Sequence, residues 1–225
     1  MRNTSIEDLP ARIQRQIELD TERDKIYEDN RISVTDCLGC LRKAWYRRKQ
    51  PKPLTMQQRW WFYRGNVFDG LWTPLFPRNQ VALTHRIRDP KYPPIVISGR
   101  LDFIDDDGAV ADLKTTDNLY WISKEGAKED NRKQVMFYCW CQAKTHGRLY
   151  YISLKDALKV EVDFTEDEAL ALVEEMEASA KELYTALVLN EPPKRDAKHT
   201  ASYWECGVSK DGVSYCEYRE DCKLQ

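Results

Sequence analysis

Three side chains near the middle of the chain have the types and spacing for chemistry on a phosphodiester. Within Ile95–Asp117, IVISGRLDFIDDDGAVADLKTTD, Asp102 falls on one expected strand, and Asp112 and Lys114 fall on the next. Side chains alternate faces along a strand, so Asp112 and Lys114 point the same way. If Asp106-Asp107-Gly108 forms a three-residue loop, Asp102 pairs opposite Asp112; a two-residue Asp107-Gly108 turn offsets them. Opposed residues have Cβ atoms roughly 4.5–5.5 Å apart. Two carboxylates so close repel, and a divalent cation removes the repulsion by taking both as hard oxygen ligands. Such a cation polarises a phosphoryl oxygen and acidifies water. Lys114, on the same face, is placed to orient that water or to neutralise charge in the transition state. Asp-x-Lys alone is common, and a solvated acidic hairpin is the plain alternative.

Cysteines form a second constellation. The chain has seven, an odd number. Cys40 lies near the start, and Cys206, Cys216 and Cys222 lie near the end. Four thiolates favour zinc or an iron–sulfur cluster. Cys37-Leu-Gly-Cys40 is half of a zinc-type pair, but the spacing of Cys206, Cys216 and Cys222 is poor for a zinc finger. Cys139 and Cys141 fall inside an expected helix and read as small buried apolar groups. A third feature is basic: Arg42, Lys43, Arg47, Arg48, Lys49 and Lys52 surround Trp45 and Tyr46 with no acid among them. Basic side chains contact phosphates and aromatics stack unpaired bases, although Trp45 and Tyr46 could equally pack inward.

These groups need a scaffold. A charged surface helix interrupted near Pro10 is expected over Ser5–Tyr27, and one from Ser33 or Thr35 to about Lys49. A third helix is expected over Gln57–Trp72 and a strand over Val81–Arg88. The hairpin follows as Ile95–Ile104 and Ala109–Lys114. Arg132–His146 reads as a helix ended by Gly147, and Leu149–Leu154 and Val160–Phe164 read as strands. Thr165-Glu166-Asp167-Glu168 is a capping-box signature opening a helix with Val173, Met176, Ala180, Leu183, Tyr184 and Leu187 on one stripe. Pro192 and Pro193 end it.

Bulk composition narrows the class. At 225 residues and 42% apolar, the chain can build a sizeable core. Its net charge of −2 carries no global polyanion signal, so any such site is a local patch. No apolar run spans a bilayer and the N-terminus lacks a signal-peptide core, so a reducing cytoplasm is expected. Cysteines there point to metal binding or burial rather than disulfides.

Taken together, Gly99-Arg-Leu-Asp102, Asp112-Leu-Lys114 and Gln134-x-x-x-Tyr138 resemble the RecB-type branch of the PD-(D/E)xK nucleases. The resemblance implies an α/β fold, a mixed central sheet flanked by helices, with magnesium or manganese held on the hairpin. An earlier Gly-x-x-x-His motif usually supplies a further ligand, and here Gly65-Asn-Val-Phe-Asp69 places Asp69 there instead. Gln134 and Tyr138, four apart on one helix face, are implied to contact substrate. Cys40-Leu-Arg-Lys-Ala-Trp-Tyr, with Cys206, Cys216 and Cys222, resembles the cluster ligands of RecB-like nucleases that carry iron and sulfur. Among these the short chain is most similar to the CRISPR-associated Cas-four exonucleases.

That resemblance implies one nuclease domain over 1–225, with a core at about 57–190 and cluster-binding parts within 33–50 and 203–225. The implied activity is a 5′ to 3′ exonuclease on single-stranded DNA, trimming new CRISPR spacers beside the integrase proteins. Nine residues separate Cys206 from Cys216 where the family usually has two. This leaves Cys37 as an alternative ligand, and a two-iron cluster as an alternative to the four-iron one. A related nuclease of a virus or mobile element, and a non-catalytic DNA-binding module with a structural cluster, are the competing readings.

Overall fold

A computed structural model describes residues 6–22, 27–195, 206–207 and 216–223. Its elements are α1 (Ala11–Thr21), β1 (Arg31–Ser33), α2 (Val34–Leu38), α3 (Leu41–Lys49) and α4 (Met56–Trp72). After these come β2 (Asn79–Ile87), β3 (Ile95–Ile104), β4 (Val110–Thr115), α5 (Leu119–Glu125) and α6 (Glu129–Cys141). The remainder are β5 (His146–Ile152), β6 (Ala157–Asp163), α7 (Glu166–Leu189) and α8 (Arg219–Lys223). The sheet order is β1-β3-β4-β5-β6, and β2 also pairs with β3. β1 runs parallel to β3 and β4 parallel to β5, whereas β3–β4 and β5–β6 are antiparallel. This is the mixed sheet with flanking helices that the sequence implies.

The chain divides into two compact units, each assembled from distant stretches of sequence. The first comprises Met1–Ile26, Pro53–Leu83 and Arg100–Glu166. Its hairpin turns through Asp106–Gly108: Gly108 has φ 86° and donates its N–H to Asp105 O at 2.8 Å, while Asp105 N–H reaches Ala109 O at 2.8 Å. A positive φ costs glycine nothing, which is why the three-residue loop forms here. It sets the register Phe103↔Ala111 and Ile104↔Val110.

Gly147 does not end a helix. It lies inside β5, where an added Cβ would come within 2.6 Å of Cys139 Sγ and Val135 Cγ1. The glycine therefore lets α6 settle against β5. The helix stops earlier, at Cys141, and Ala143 beyond its cap is left-handed with φ 53°. Ala143 N–H bonds Trp140 O and Lys144 N–H bonds Cys139 O, closing the helix end.

The second unit comprises Tyr27–Lys52, Thr84–Gly99 and Asp167–Gln225. Ser33 caps α2 by accepting Asp36 N–H at 3.1 Å. The one helix expected to Lys49 is split at Gly39, whose extended backbone breaks it, and Cys40 then caps α3. In α7 the stripe Val173, Met176, Ala180, Leu183 and Leu187 is buried. The helix ends at Asn190, which has φ 56°. Asn190 N–H bonds Leu187 O and Glu191 N–H bonds Ala186 O, and Pro192-Pro193 follow.

Candidate active site

The ladder between β3 and β4 gives way one step past Phe103↔Ala111. There the Asp102 side chain takes a backbone donor: Leu113 N–H reaches Asp102 Oδ2 at 2.6 Å. Asp112 is 2% exposed, and its Oδ2 meets the Lys114 ammonium in an ion pair without an aligned hydrogen bond. The hairpin thus brings Asp102, Asp112 and Lys114 together.

Electrostatics show the tension in this group. Burial and the neighbouring Asp112 push the Asp102 carboxyl up to about 7, and Asp69 adds to the rise. The Leu113 N–H and Lys114 only partly offset this. Burial opposes the charge on Lys114, but the Asp112 carboxylate outweighs it and holds the ammonium protonated. One lysine serves two crowded carboxylates, and the arrangement remains short of positive charge.

Asp69, on α4, reaches this group through its charge. Its Oδ1 accepts Gln80 Nε2 at 2.8 Å. Gln80 was not singled out by sequence, and its only sequence signal is an amide a few residues past α4. It adopts φ 49°, which for a residue with a Cβ stores strain, and such strain concentrates at functional sites. On α6, Gln134 Nε2 donates to Tyr138 Oη at 2.8 Å. Burial and Asp112 raise the phenol and keep it protonated, against the opposing effect of the donors Gln134 and the Arg100 main chain. Tyr138 therefore meets the main chain of Arg100, two residues before Asp102, and feels the charge of Asp112, while Gln134 holds its hydroxyl.

The donor set suits a hard divalent cation: buried carboxylate oxygens, one without an aligned hydrogen bond, in a site lacking positive charge. Asp102 and Asp112 are the residues that would hold it. Among the described residues no three His, Cys, Asp or Glu side chains gather at metal-holding separation.

In the second unit the described cysteines form no disulfide. Cys40 Sγ accepts Lys43 N–H at 3.4 Å, and Cys222 Sγ accepts Arg42 Nε at 3.2 Å. Cys37 differs: burial and the adjacent Asp36 push its thiol far up, which suits packing rather than ligation. Cys216 is buried and Cys206 half-buried, while 196–205 and 208–215, which border them, lie outside the described residues. Burial raises Cys139 to about 12 and Cys141 to about 11, as expected of packing groups.

The basic stretch is not an open DNA patch. Arg47 and Arg48 pair with Asp36, Lys49 with Asp29 and Lys52 with Asp221. Trp45 and Tyr46 are 3% and 1% exposed, and Tyr46 stacks on Tyr218. The inward packing wins because these acids, distant or upstream in sequence, neutralise the run. Exposed aromatics lie elsewhere, at Trp61 and Phe62 on α4 and at Tyr120 and Trp121 on α5.

Comparison with known proteins follows the same lines. The crystal structure of SSO0001 superposes with a TM-score of 0.64 at 19% identity, covering 97% of this chain and 98% of that one. A phage-related exonuclease from Haemophilus somnus 129PT superposes with a TM-score of 0.50 at 11% identity, covering 71% of this chain and 96% of that one. These likenesses are of fold. No curated protein matches the sequence. The described residues include no helix long and apolar enough to cross a membrane. Over residues 7–223 the sequence matches the PD-(D/E)XK nuclease superfamily, with Asp112-Leu113-Lys114 in the hairpin, and the chain belongs to that superfamily.

Proposed function

We propose that this chain is a metal-dependent deoxyribonuclease, an exonuclease on single-stranded DNA, and that Asp102, Asp112 and Lys114 form its catalytic centre. The observation that carries this reading is the apposition of Asp102 and Asp112 with a single lysine between their charges. When bound, magnesium or manganese supplies Lewis acidity toward a phosphoryl oxygen and acidifies water. Asp102 and Asp112 would hold that cation, with Asp69 adding negative charge. Lys114, protonated against Asp112, orients the attacking water and faces the charge that grows on the phosphoryl group. Gln134 fixes Tyr138, whose hydroxyl is placed to donate to the substrate strand.

An exonuclease among the structures of the same fold supports end-directed cleavage. We place the enzyme in the cytoplasm, as one nuclease domain acting in CRISPR adaptation with integrase proteins as partners. Cys40, Cys206, Cys216 and Cys222 would hold an iron–sulfur cluster, of four-iron type in preference to two-iron. The N–H donors at Cys40 and Cys222 support ligation there. Those four sulfurs are not gathered into one site among the described residues.

The test is cleavage of end-labelled single-stranded DNA with manganese by wild type, Lys114→Ala and Asp112→Ala. Wild type cuts, and each variant loses about a thousandfold or more, the scale of removing a charge-stabilising group. Equal behaviour of all three moves the DNA-binding module ahead. Iron content and a brown colour test the cluster separately.

A further inference from the structure

Arg42 lies in the basic stretch whose Arg47, Arg48, Lys49 and Lys52 are paired with acids. It is 4% exposed and held on three sides. Its Nη1 donates to Pro193 O at 2.6 Å, its Nε to Cys222 Sγ at 3.2 Å, and its guanidinium lies 5.9 Å from the Tyr46 ring centre. Its Nη2 has no hydrogen-bond partner, and among the described residues no carboxylate pairs with it. A buried N–H donor left without an acceptor is costly, so the Nη2 of Arg42 is explained best by an oxygen ligand that joins it.

A cavity of about 460 Å³ opens at this residue, lined by Arg42, Glu191, Pro192, Lys194 and Arg195. Its size lies in the range of small-ligand sites. Three cations face one acid. The cavity is built by the fold: Trp45 Nε1 donates to Ala186 O at 3.1 Å, pinning α3 to the end of α7. The left-handed turn at Asn190 then carries Pro192–Arg195 past Arg42, where Pro193 O is caught.

We propose that this cavity is a phosphate-binding site, in which the spare Nη2 of Arg42 takes a phosphate oxygen and Lys194 and Arg195 close over the group. Guanidinium suits the task through its planar array of donors. The phosphate comes either from a nucleic-acid strand or from free phosphate. The choice of a strand rests on the nuclease reading; the site itself does not.

The experiment uses the full-length chain carrying Asp112→Asn, so that bound DNA is not consumed if the proposed chemistry holds. One arm follows fluorescence anisotropy of a labelled single-stranded oligonucleotide across a salt series, and the other titrates inorganic phosphate by calorimetry. The double change Lys194→Ala/Arg195→Ala lowers oligonucleotide affinity about tenfold and flattens the logarithmic salt dependence by about 1 to 2. Glu191→Gln tightens binding, a gain that misfolding cannot produce. Changes in both arms assign the site to a strand, and changes with phosphate alone assign it to the free anion. Either result supports the site. Wild-type behaviour of both variants in both arms overturns it. Cleavage failing while these effects persist would remove the nuclease reading and leave the site standing.

Discussion

Each compact unit buries an aspartate, Asp36 at 3% exposure and Asp112 at 2%, and the fold treats the two charges in opposite ways. Around Asp36 the charge is over-matched. Arg48 donates to its Oδ2 at 2.9 Å, Arg47 reaches Oδ1, and Asp36 N–H closes the cap on Ser33. Burial works against the carboxylate, yet Arg47, Arg48 and Ser33 together hold it below the ordinary range. Around Asp112 the nearest carboxylate is another acid, Asp102, and one lysine stands against both. A buried charge with its full complement of partners organises a structure. A buried charge left under-matched stores a demand that a ligand can satisfy.

Removing each charge is the strongest way to break this comparison. Asp36→Asn strands two guanidiniums and costs about 3–5 kcal/mol in urea unfolding with chelator present. Asp112→Asn relieves repulsion, so its metal-free stability stays level or rises. A large loss from Asp112→Asn would show that the site is a structural ion pair like the other. Adding manganese at about a hundredfold excess over its dissociation constant should stabilise wild type by about 3 kcal/mol in thermal unfolding. Asp112→Asn should lose that response and Asp36→Asn should keep it, if the latter folds.

The pH dependence separates the pair by sign. Asp102 titrates at about 7, above the unfolded value of 3.8, so between these the folded chain holds a proton that the unfolded chain has released. Its contribution is therefore complete below about pH 4 and is lost as pH rises through about 7. Asp36 lies below the unfolded value, so its contribution is complete above about pH 4 and is lost on acidification. Chelated wild type compared with Asp102→Asn and Asp36→Asn across pH should show these opposite slopes. The smallest effect lies within the Asp36 cluster. Arg48 is 3% exposed and also donates to Glu28 O and Arg31 O, whereas Arg47 is 39% exposed. Arg48→Lys should cost about 1–3 kcal/mol and Arg47→Lys under about 1 kcal/mol, measured by chemical denaturation.

The same contrast explains what could be read from sequence. Asp106-Asp107-Gly108 marks a turn but allows two registers, and the three-residue loop that sets Asp102 opposite Asp112 is the one found. The buried stripe of α7 is equally local. Gly147 was misread because its role is set by Cys139 and Val135 pressing against it, not by the helix before it. The three-residue β1 and the α5 segment, whose Asn118 provides no side-chain cap, carry too little pattern to be seen. The basic run looked open because Asp221, which neutralises Lys52, is far away in sequence. Gln80 escaped notice since nothing in its neighbours announces a left-handed backbone.

The hydrogen bond from Leu113 N–H to Asp102 Oδ2 makes one main-chain amide a witness to the Asp102 carboxyl. Protonation of that oxygen, or its engagement elsewhere, weakens the bond without altering a side chain of Leu113. The nitrogen-15 resonance of this single amide, and its rate of solvent exchange, therefore record the state of Asp102 directly. The fold carries a spectroscopic probe where the strands part, and it needs no label beyond the isotope.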